Sequence, residues 1–148
     1  MNKYNFRLQK VLKIRQLQQD IEEQKLAASK QQLQEEQTHL AEVQERERKF
    51  LDELKQKRLM TIQGHEFHKY TSYQRQVEKY VEQQNQNVLT ATEAVEIQRT
   101  NLIEAAQETS MIDKLEERAY EKFLRRKDSA EQKIIDELSQ LKPFRKAD

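Results

Sequence analysis

Apolar residues recur along this chain at the spacing of a helical coiled coil. Between residues 33 and 54 they follow steps of seven, three, seven and four, at Leu33, Leu40, Val43, Phe50 and Leu54. Such steps, repeated over several heptads, place one apolar stripe along a helix and form a coiled-coil seam. The stretch from Leu8 to Ile21 carries a wider apolar stripe than one partner helix would cover. We therefore predict a first helix from about residue 4 to about residue 59.

The apolar pattern is interrupted at residues 60–64, which read Met-Thr-Ile-Gln-Gly. Gly64 can enter left-handed backbone conformations without steric cost, and Thr61 could cap a following helix. We predict that the chain reverses direction near residues 59–64.

A second seam follows this break. Two interleaved sets of positions each repeat every seven residues, one of them including Val81, Val88, Val95 and Leu102, the other Val77, Ala91, Ala105, Ile112 and Ala119. Pro143 is expected to end the pattern, because a helix seldom continues through a proline. The second helix is therefore predicted from about residue 65 to about residue 141, followed by a short basic tail over residues 142–148.

Two seams joined by one break favour an all-α fold, in which two long helices form a single antiparallel coiled-coil hairpin. At 1.5 Å per residue, the helices would be about 80 Å and about 115 Å long. If the turn centres near residue 62, residue i faces roughly residue 124 − i, which places Tyr4 near Tyr120. A dimer in which the helices pair between two chains is the alternative, and the small residues of the second seam do not decide between them.

The composition supports long helices over a globular core. Hydrophobic residues make up 35% and charged residues 36% of the 148 residues, with one Gly and one Pro. A compact domain usually has about 45–50% apolar residues and about 7% Gly. The abundant residues here are good helix formers, so the chain is predicted to make few turns.

The charge and residue content exclude several classes of function. The net charge is +1, whereas nucleic-acid binders usually carry a basic excess, so no nucleic-acid partner is expected. The chain has no cysteine for disulfides or Cys-based zinc sites. No apolar run approaches the roughly 18 residues of a membrane span, and residues 1–15 lack the features of a secretory signal. These features predict an intracellular protein without a direct membrane span.

No catalytic constellation is present in the sequence. His65 and His68 are three residues apart, whereas the zinc-protease motif His-Glu-x-x-His needs a spacing of four. A phosphate-binding loop needs more than the single glycine of this chain. The sequence therefore predicts a protein that is not an enzyme, with no catalytic residue, no metal and no cofactor.

Basic residues collect near both ends of the chain. The first cluster precedes the first acidic residue, Asp20, and consists of Lys3, Arg7, Lys10, Lys13 and Arg15. The second cluster lies in the last third of the chain and consists of Arg118, Lys122, Arg125, Arg126 and Lys127. In the hairpin register both clusters lie at one end. This end is either simply well solvated or it binds an acidic socket on another protein.

Aromatic residues cluster just after the predicted turn, at Phe67, Tyr70, Tyr73 and Tyr80. Phe67 and Tyr70 share a helix face by their spacing of three. Aromatic residues at helical spacing are either part of the seam or exposed anchors for a partner.

The opening of the chain resembles that of the FliJ family, whose members belong to the bacterial flagellar type III export apparatus. The family pattern F-x-L-Q-x-V-L-x-x-R is matched by Phe6, Leu8, Gln9, Val11, Leu12 and Arg15. The resemblance covers nearly the whole chain, since the mid-chain break, the tyrosines after it and the later helix occur in the same order.

The resemblance implies a non-catalytic antiparallel two-helix stalk, similar to the gamma subunit of rotary ATPases. In the family, the terminal end inserts into the ring of the export ATPase FliI and promotes its hexamerisation and activity. The stalk also contacts the export gate FlhA, and the implied further partners are export chaperones and the ATPase regulator FliH. The implied location is the cytoplasm, peripheral to the inner face of the cell membrane at the flagellar base.

The resemblance also implies contact residues by position. Those expected at the ATPase ring are Phe6, Arg7, Leu8, Val11, Leu12, Arg15, Arg118, Arg125 and Arg126. Candidates for the export-gate contact are Phe67, Tyr70 and Tyr73, without a residue-level motif. A generic coiled-coil scaffold or general chaperone, and the equivalent stalk of a virulence type III secretion system, remain alternatives.

Overall fold

Two long helices make up almost all of the described chain. The structure is a computed structural model that describes residues 3–60 and 64–146, with side chains described up to residue 141. Helix α1 spans Gln9–Arg58 and helix α2 spans Gly64–Lys146. The described residues contain no strand. The prediction of an all-α fold with two long helices is confirmed.

The helix ends differ from the sequence predictions at two places. Helix α1 begins at Gln9 rather than near residue 4, after a turn in which the Gln9 amide donates to the Phe6 carbonyl oxygen at 3.2 Å. Helix α2 continues past the predicted end through Pro143 to Lys146. A proline removes one hydrogen bond, but its fixed φ near −65° is itself helical, so the backbone continues.

Helix α1 ends at Arg58 and helix α2 begins at Gly64, so part of the predicted reversal lies outside the described residues. The last turn of α1 is tightened, because the Leu59 amide donates to the Gln56 carbonyl at 3.3 Å and the Met60 amide to the Lys57 carbonyl at 3.1 Å. Gly64 does not adopt the left-handed conformation we expected. It is the first residue of a right-handed helix. The proposed cap Thr61 lies outside the described residues.

The chain divides into two compact units, and each contains a segment of both helices. The terminal unit comprises Met1–Asp20 with Glu104–Asp148, and the turn unit comprises Ile21–Ile103. Within each unit the segments of α1 and α2 pack against each other in opposite directions.

Contacts across the helices show the same register in both units. In the terminal unit the Tyr4 and Tyr120 rings lie 5.0 Å apart, between centroids. In the turn unit the Phe50 and Tyr73 rings lie 4.7 Å apart. These pairs confirm an antiparallel arrangement in which residue i faces roughly residue 124 − i.

The buried seam is small, as expected where each helix has one partner to pack against. Its buried apolar residues are Leu12 in the terminal unit and Val43, Leu54, Ala91 and Val95 in the turn unit. Gln84 and Thr109 are buried polar members of the seam. The Thr109 hydroxyl is satisfied by the Ala105 carbonyl oxygen at 3.0 Å within its own helix.

Gln84 forms a polar layer in the turn unit. Its side-chain amide donates to the Glu36 carbonyl oxygen at 3.0 Å and to Glu36 Oε2 at 2.6 Å. Its Oε1 accepts from the Asn87 amide at 3.1 Å. Because a buried amide must keep its partners, this layer favours one register of the two helices over its neighbours.

Two substitutions at Gln84 should distinguish the contribution of its side-chain volume to stability from the contribution of its hydrogen bonds. Gln84→Ala should destabilise the fold by about 1–3 kcal/mol, since it leaves a space and removes the donor to Glu36. Gln84→Leu should stay within about 1 kcal/mol of the wild type, because it fills the space and half-buried Glu36 can turn to water. Thermal melting followed by circular dichroism measures both. Equal destabilisation by the two variants would contradict the volume argument.

Two buried side-chain oxygens of the turn unit have fewer hydrogen bonds than those of the Gln84 layer. Glu22 Oε2 and Gln98 Oε1 are buried and have no hydrogen-bond partner among the described residues.

Candidate functional site

A groove in the terminal unit combines apolar and basic side chains. It has a volume of about 1130 Å³ and lies between the residues before α1 and the later turns of α2. Its large apolar side chains are Tyr4, Phe6, Leu8, Leu115, Phe123 and Ile134, its basic ones are Lys3, Arg7, Lys122, Arg126 and Lys127, and the acidic Glu131 also lines it. We call this surface the terminal groove.

Tyr4 holds the non-helical start of the chain against α2. Its ring packs on Tyr120 in a T-shaped contact and lies 5.4 Å from the ring of Phe123, between centroids. Its hydroxyl donates to the Glu116 carbonyl oxygen at 3.2 Å. Burial raises the pKa of the Tyr4 phenol, and the negative charge of Glu116 raises it further. These contacts form one wall of the terminal groove.

The raised pKa of Tyr4 predicts a pH dependence. The folded pKa lies above the unfolded value near 10, so the protonated phenol stabilises the segment below that pH, and this contribution is lost as the pH rises through ionisation. A titration of tyrosinate absorbance should show a late-ionising tyrosine that is missing from Tyr4→Phe. If Tyr4→Phe removes a tyrosine with an ordinary pKa instead, the proposed packing is wrong.

The predicted ring-contact arginines fall into two groups. Arg7, Arg118, Arg125 and Arg126 are exposed and make no ion pair with any described side chain. Arg15 differs, because it is paired with Glu108 at 2.6 Å and also donates to Gln18 Oε1 at 3.1 Å. An exposed pair of this kind contributes about 0–1 kcal/mol, but it occupies the guanidinium.

The apolar members of the predicted ring contact also differ in position. Phe6 and Leu8 are half-buried and line the terminal groove. Val11 is half-buried, whereas Leu12 is buried and belongs to the seam. Sequence reasoning grouped these residues by the family pattern, and that pattern does not separate seam positions from surface positions.

Three basic groove residues, Lys3, Lys122 and Lys127, were absent from the contact predicted by resemblance. Their membership of the two basic clusters was the signal that could have found them. Arg118 and Arg125 belong to the same cluster but do not line the groove. The side on which each residue faces decides this, and the charge pattern alone does not specify it.

The later part of α2 exposes an apolar stripe. All described residues from 124 to 141 are exposed, and Ile134, Leu138 and Leu141 are each more than half exposed. Their spacing of four and three places them on one face of the helix. Exposed apolar residues of this kind mark contacts with other proteins.

The aromatic residues of the turn unit differ in how closely they pack against the opposite helix. Phe50 of α1 packs on Tyr73 and, at 6.4 Å between centroids, on Tyr70. The Lys57 ammonium lies 4.4 Å from the centre of the Tyr70 ring and donates to its hydroxyl, and this hydrogen bond raises the pKa of Lys57. Phe67 remains 48% exposed. Tyr70 and Tyr73 pack on Phe50, although Tyr73 is 53% exposed, whereas Phe67 makes no aromatic contact with α1 among the described residues.

The described residues contain no group of three or more His, Cys, Asp or Glu side chains placed to hold a metal ion. Within the described part of the chain, neither helix is apolar enough over a sufficient length to cross a membrane.

The fold is a two-helix antiparallel coiled coil whose described surface carries exposed apolar and basic side chains. The flagellar FliJ protein family matches residues 4–148, and the chain belongs to this family. It is therefore a coiled-coil component of the flagellar type III export apparatus. A search of curated proteins found no match.

A solved structure supports the fold. The chain is similar to a YscO homolog from Chlamydia trachomatis with a TM-score of 0.67 and 22% sequence identity, over 94% of each chain. At this level of sequence identity, the likeness shows that the two proteins share a fold and nothing further.

Proposed function

We propose that this chain is the non-catalytic central stalk of the flagellar export apparatus. Its terminal end inserts into the ring of the export ATPase FliI, promotes hexamerisation and activity, and the stalk links the ring to the export gate FlhA. The observation that carries the proposal is the terminal groove, which is lined both by cations without ion partners among the described side chains and by half-buried and exposed apolar side chains.

The combination of basic and apolar side chains suits a stalk that must bind the ring and still move within it. Exposed charges attract an acidic socket and speed association, while their contribution is screened in a wet pore. The apolar stripe of Ile134, Leu138 and Leu141 supplies the additional contact area. Binding is then specific without being so tight that the stalk cannot move.

The proposal includes the turn unit and the cellular location. Phe67 is the side chain that anchors the gate, and Tyr70 and Tyr73, which pack on Phe50, are the further gate residues. Export chaperones and the ATPase regulator FliH are further proposed partners. The proposed location is the cytoplasm, at the inner face of the membrane below the flagellum.

The test of the proposal is a binding and rate measurement with the cognate ATPase. The wild-type chain should be retained by immobilised FliI, and its addition should raise the ATPase rate and the fraction of hexamer. A chain that binds FliI at none of the concentrations tested, with rates unchanged, would exclude the stalk function.

We expect Phe67→Ala to weaken binding to the export gate about tenfold or more, because exposed aromatic anchors dominate interfaces. Helicity should be unchanged, since Phe67 is half exposed. Leu89→Ala, at another exposed apolar position of the turn unit, serves as the matched control. Titration calorimetry with the soluble part of the gate measures the effect, and equal losses for both variants would contradict a specific Phe67 anchor.

A further inference from the structure

The end of the turn unit exposes large apolar side chains directly beside basic ones. Leu59 is 89% exposed and Met60 is 73% exposed, the highest values among the large apolar side chains described. They follow the basic last turn of α1, which contains Lys55, Lys57 and Arg58. We call Lys55, Arg58, Leu59, Met60 and Lys69 the turn tip.

The charge at the turn tip is available to a partner. Residues 55–69 contain four Lys or Arg residues and one acidic residue, Glu66. Lys55, Arg58 and Lys69 are exposed, and none of them forms an ion pair with a described side chain. Lys57 is different, because its ammonium is engaged with Tyr70. Among its described residues, the tip therefore presents two exposed apolar side chains together with three cations that have no ion partner.

We propose that the turn tip contacts the anionic phospholipid surface of a membrane. Leu59 and Met60 enter the boundary between headgroups and acyl chains, and Lys55, Arg58 and Lys69 contact the lipid phosphates. Long basic side chains keep their charge at the polar level while their stems cover apolar surface. This is the side-chain pattern of proteins that lie on anionic membranes.

The area of the tip favours a lipid surface over a protein partner. The two described apolar side chains of the tip, Leu59 and Met60, bury about 300 Å², whereas a specific protein interface needs about 800 Å² on each side. A fluid interface needs no shaped pocket, so these side chains can bind it weakly and reversibly. Binding of this strength would orient a stalk at the membrane without fixing it there.

The inference goes beyond the gate contact and rests on different residues. Phe67 carries the proposed gate contact, and the turn tip does not need it. A lipid contact also requires neither FliI nor FlhA, so its test is independent of the stalk function.

The experiment is flotation of the purified full chain with vesicles. Vesicles of phosphatidylcholine with about a third phosphatidylglycerol should carry the wild-type chain to the top of the gradient, and pure phosphatidylcholine should not. Lys55→Gln with Arg58→Gln should lower the partition coefficient about fivefold per charge removed, and added salt should mimic this loss. Leu59→Ser with Met60→Ser should lower it at least tenfold.

Matched variants decide whether the effect belongs to the tip. Lys30→Gln with Arg46→Gln removes the same charge from other exposed positions, and Leu89→Ser removes another exposed apolar side chain of the turn unit. Both controls should float like the wild type. Losses equal to those of the tip variants, or a wild-type chain that stays at the bottom with anionic vesicles, would overturn the proposal. Binding of the tip to the export-gate protein in place of vesicles would overturn it too, whereas an unchanged ATPase rate would leave the stalk function intact.

Discussion

Replacing Arg7, Lys122, Arg126 and Lys127 by glutamate should abolish the stimulation of the export ATPase by this chain. These four residues line the terminal groove, are exposed and make no ion pair with any described side chain. Reversal turns attraction into repulsion at every contact with an acidic socket, and like charges facing each other cost several kcal/mol in an interface. Binding should therefore weaken by at least about 100-fold.

The fold should survive this change. The four side chains face solvent, and surface substitutions usually alter stability by about 0.5 kcal/mol or less. Circular dichroism should show the wild-type helix content. If helicity is lost together with stimulation, the glutamate variant does not support charge repulsion. The variant with four glutamines then decides, because it removes the charges without repulsion and should bind with intermediate strength.

A matched variant tests whether position matters or only charge. Lys30, Arg46 and Lys79 are exposed basic residues of the turn unit without ion pairs to described side chains. Changing them to glutamate reverses nearly as much charge away from the terminal groove. Stimulation should remain close to that of the wild type, and full stimulation by the groove variant would remove the electrostatic mechanism.

The terminal groove shows which parts of such a site follow from sequence. The basic clusters were evident, since charges can be counted, and the register brought them to one end because the position of the turn sets which residues of the two helices face each other. The pairing of Arg15 with Glu108 was not predicted. It depends on side chains from two helices, both outside the seam pattern, and a period of seven says nothing about them.

The start of the chain shows a second limit. Residues 4–8 have helix-compatible composition, yet α1 begins at Gln9. The reason is tertiary: Tyr4 gains contacts with Tyr120 and Phe123 and a hydrogen bond to the Glu116 carbonyl oxygen that a continued helix would not provide. Local propensity is a weak prior, and packing of this kind overrides it.

The seam contains both features that the sequence predicted and features that it did not. Its apolar positions were predicted, and Val43, Ala91 and Val95 are buried accordingly. Gln84 lies seven residues after Val77 and seven before Ala91, and so falls on the same repeat, but the donation of its amide to Glu36 was not foreseen. A periodic pattern identifies the face on which a residue lies. It does not identify the polar atom that satisfies it.

The largest stability effect is expected for Val43→Asp. Val43 is 2% exposed and is one of four buried apolar residues described in the turn unit. A carboxylate at this position would lie against apolar side chains without a cation to pair with, which costs several kcal/mol or forces the helices apart. A small domain has only about 5–15 kcal/mol of stability, so the turn unit should unfold at ordinary temperature.

Hydrogen exchange read peptide by peptide measures this result, because it reports opening for each segment separately. Protection should be lost across residues 21–60 and 64–103, on both helices, since each segment is buried only by the other. Ile97→Asp places the same charge at a position 60% exposed and should leave the exchange pattern unchanged. If Val43→Asp loses protection on α1 alone, then α2 does not depend on α1 for its helical structure, and the antiparallel pairing would not be what stabilises the turn unit.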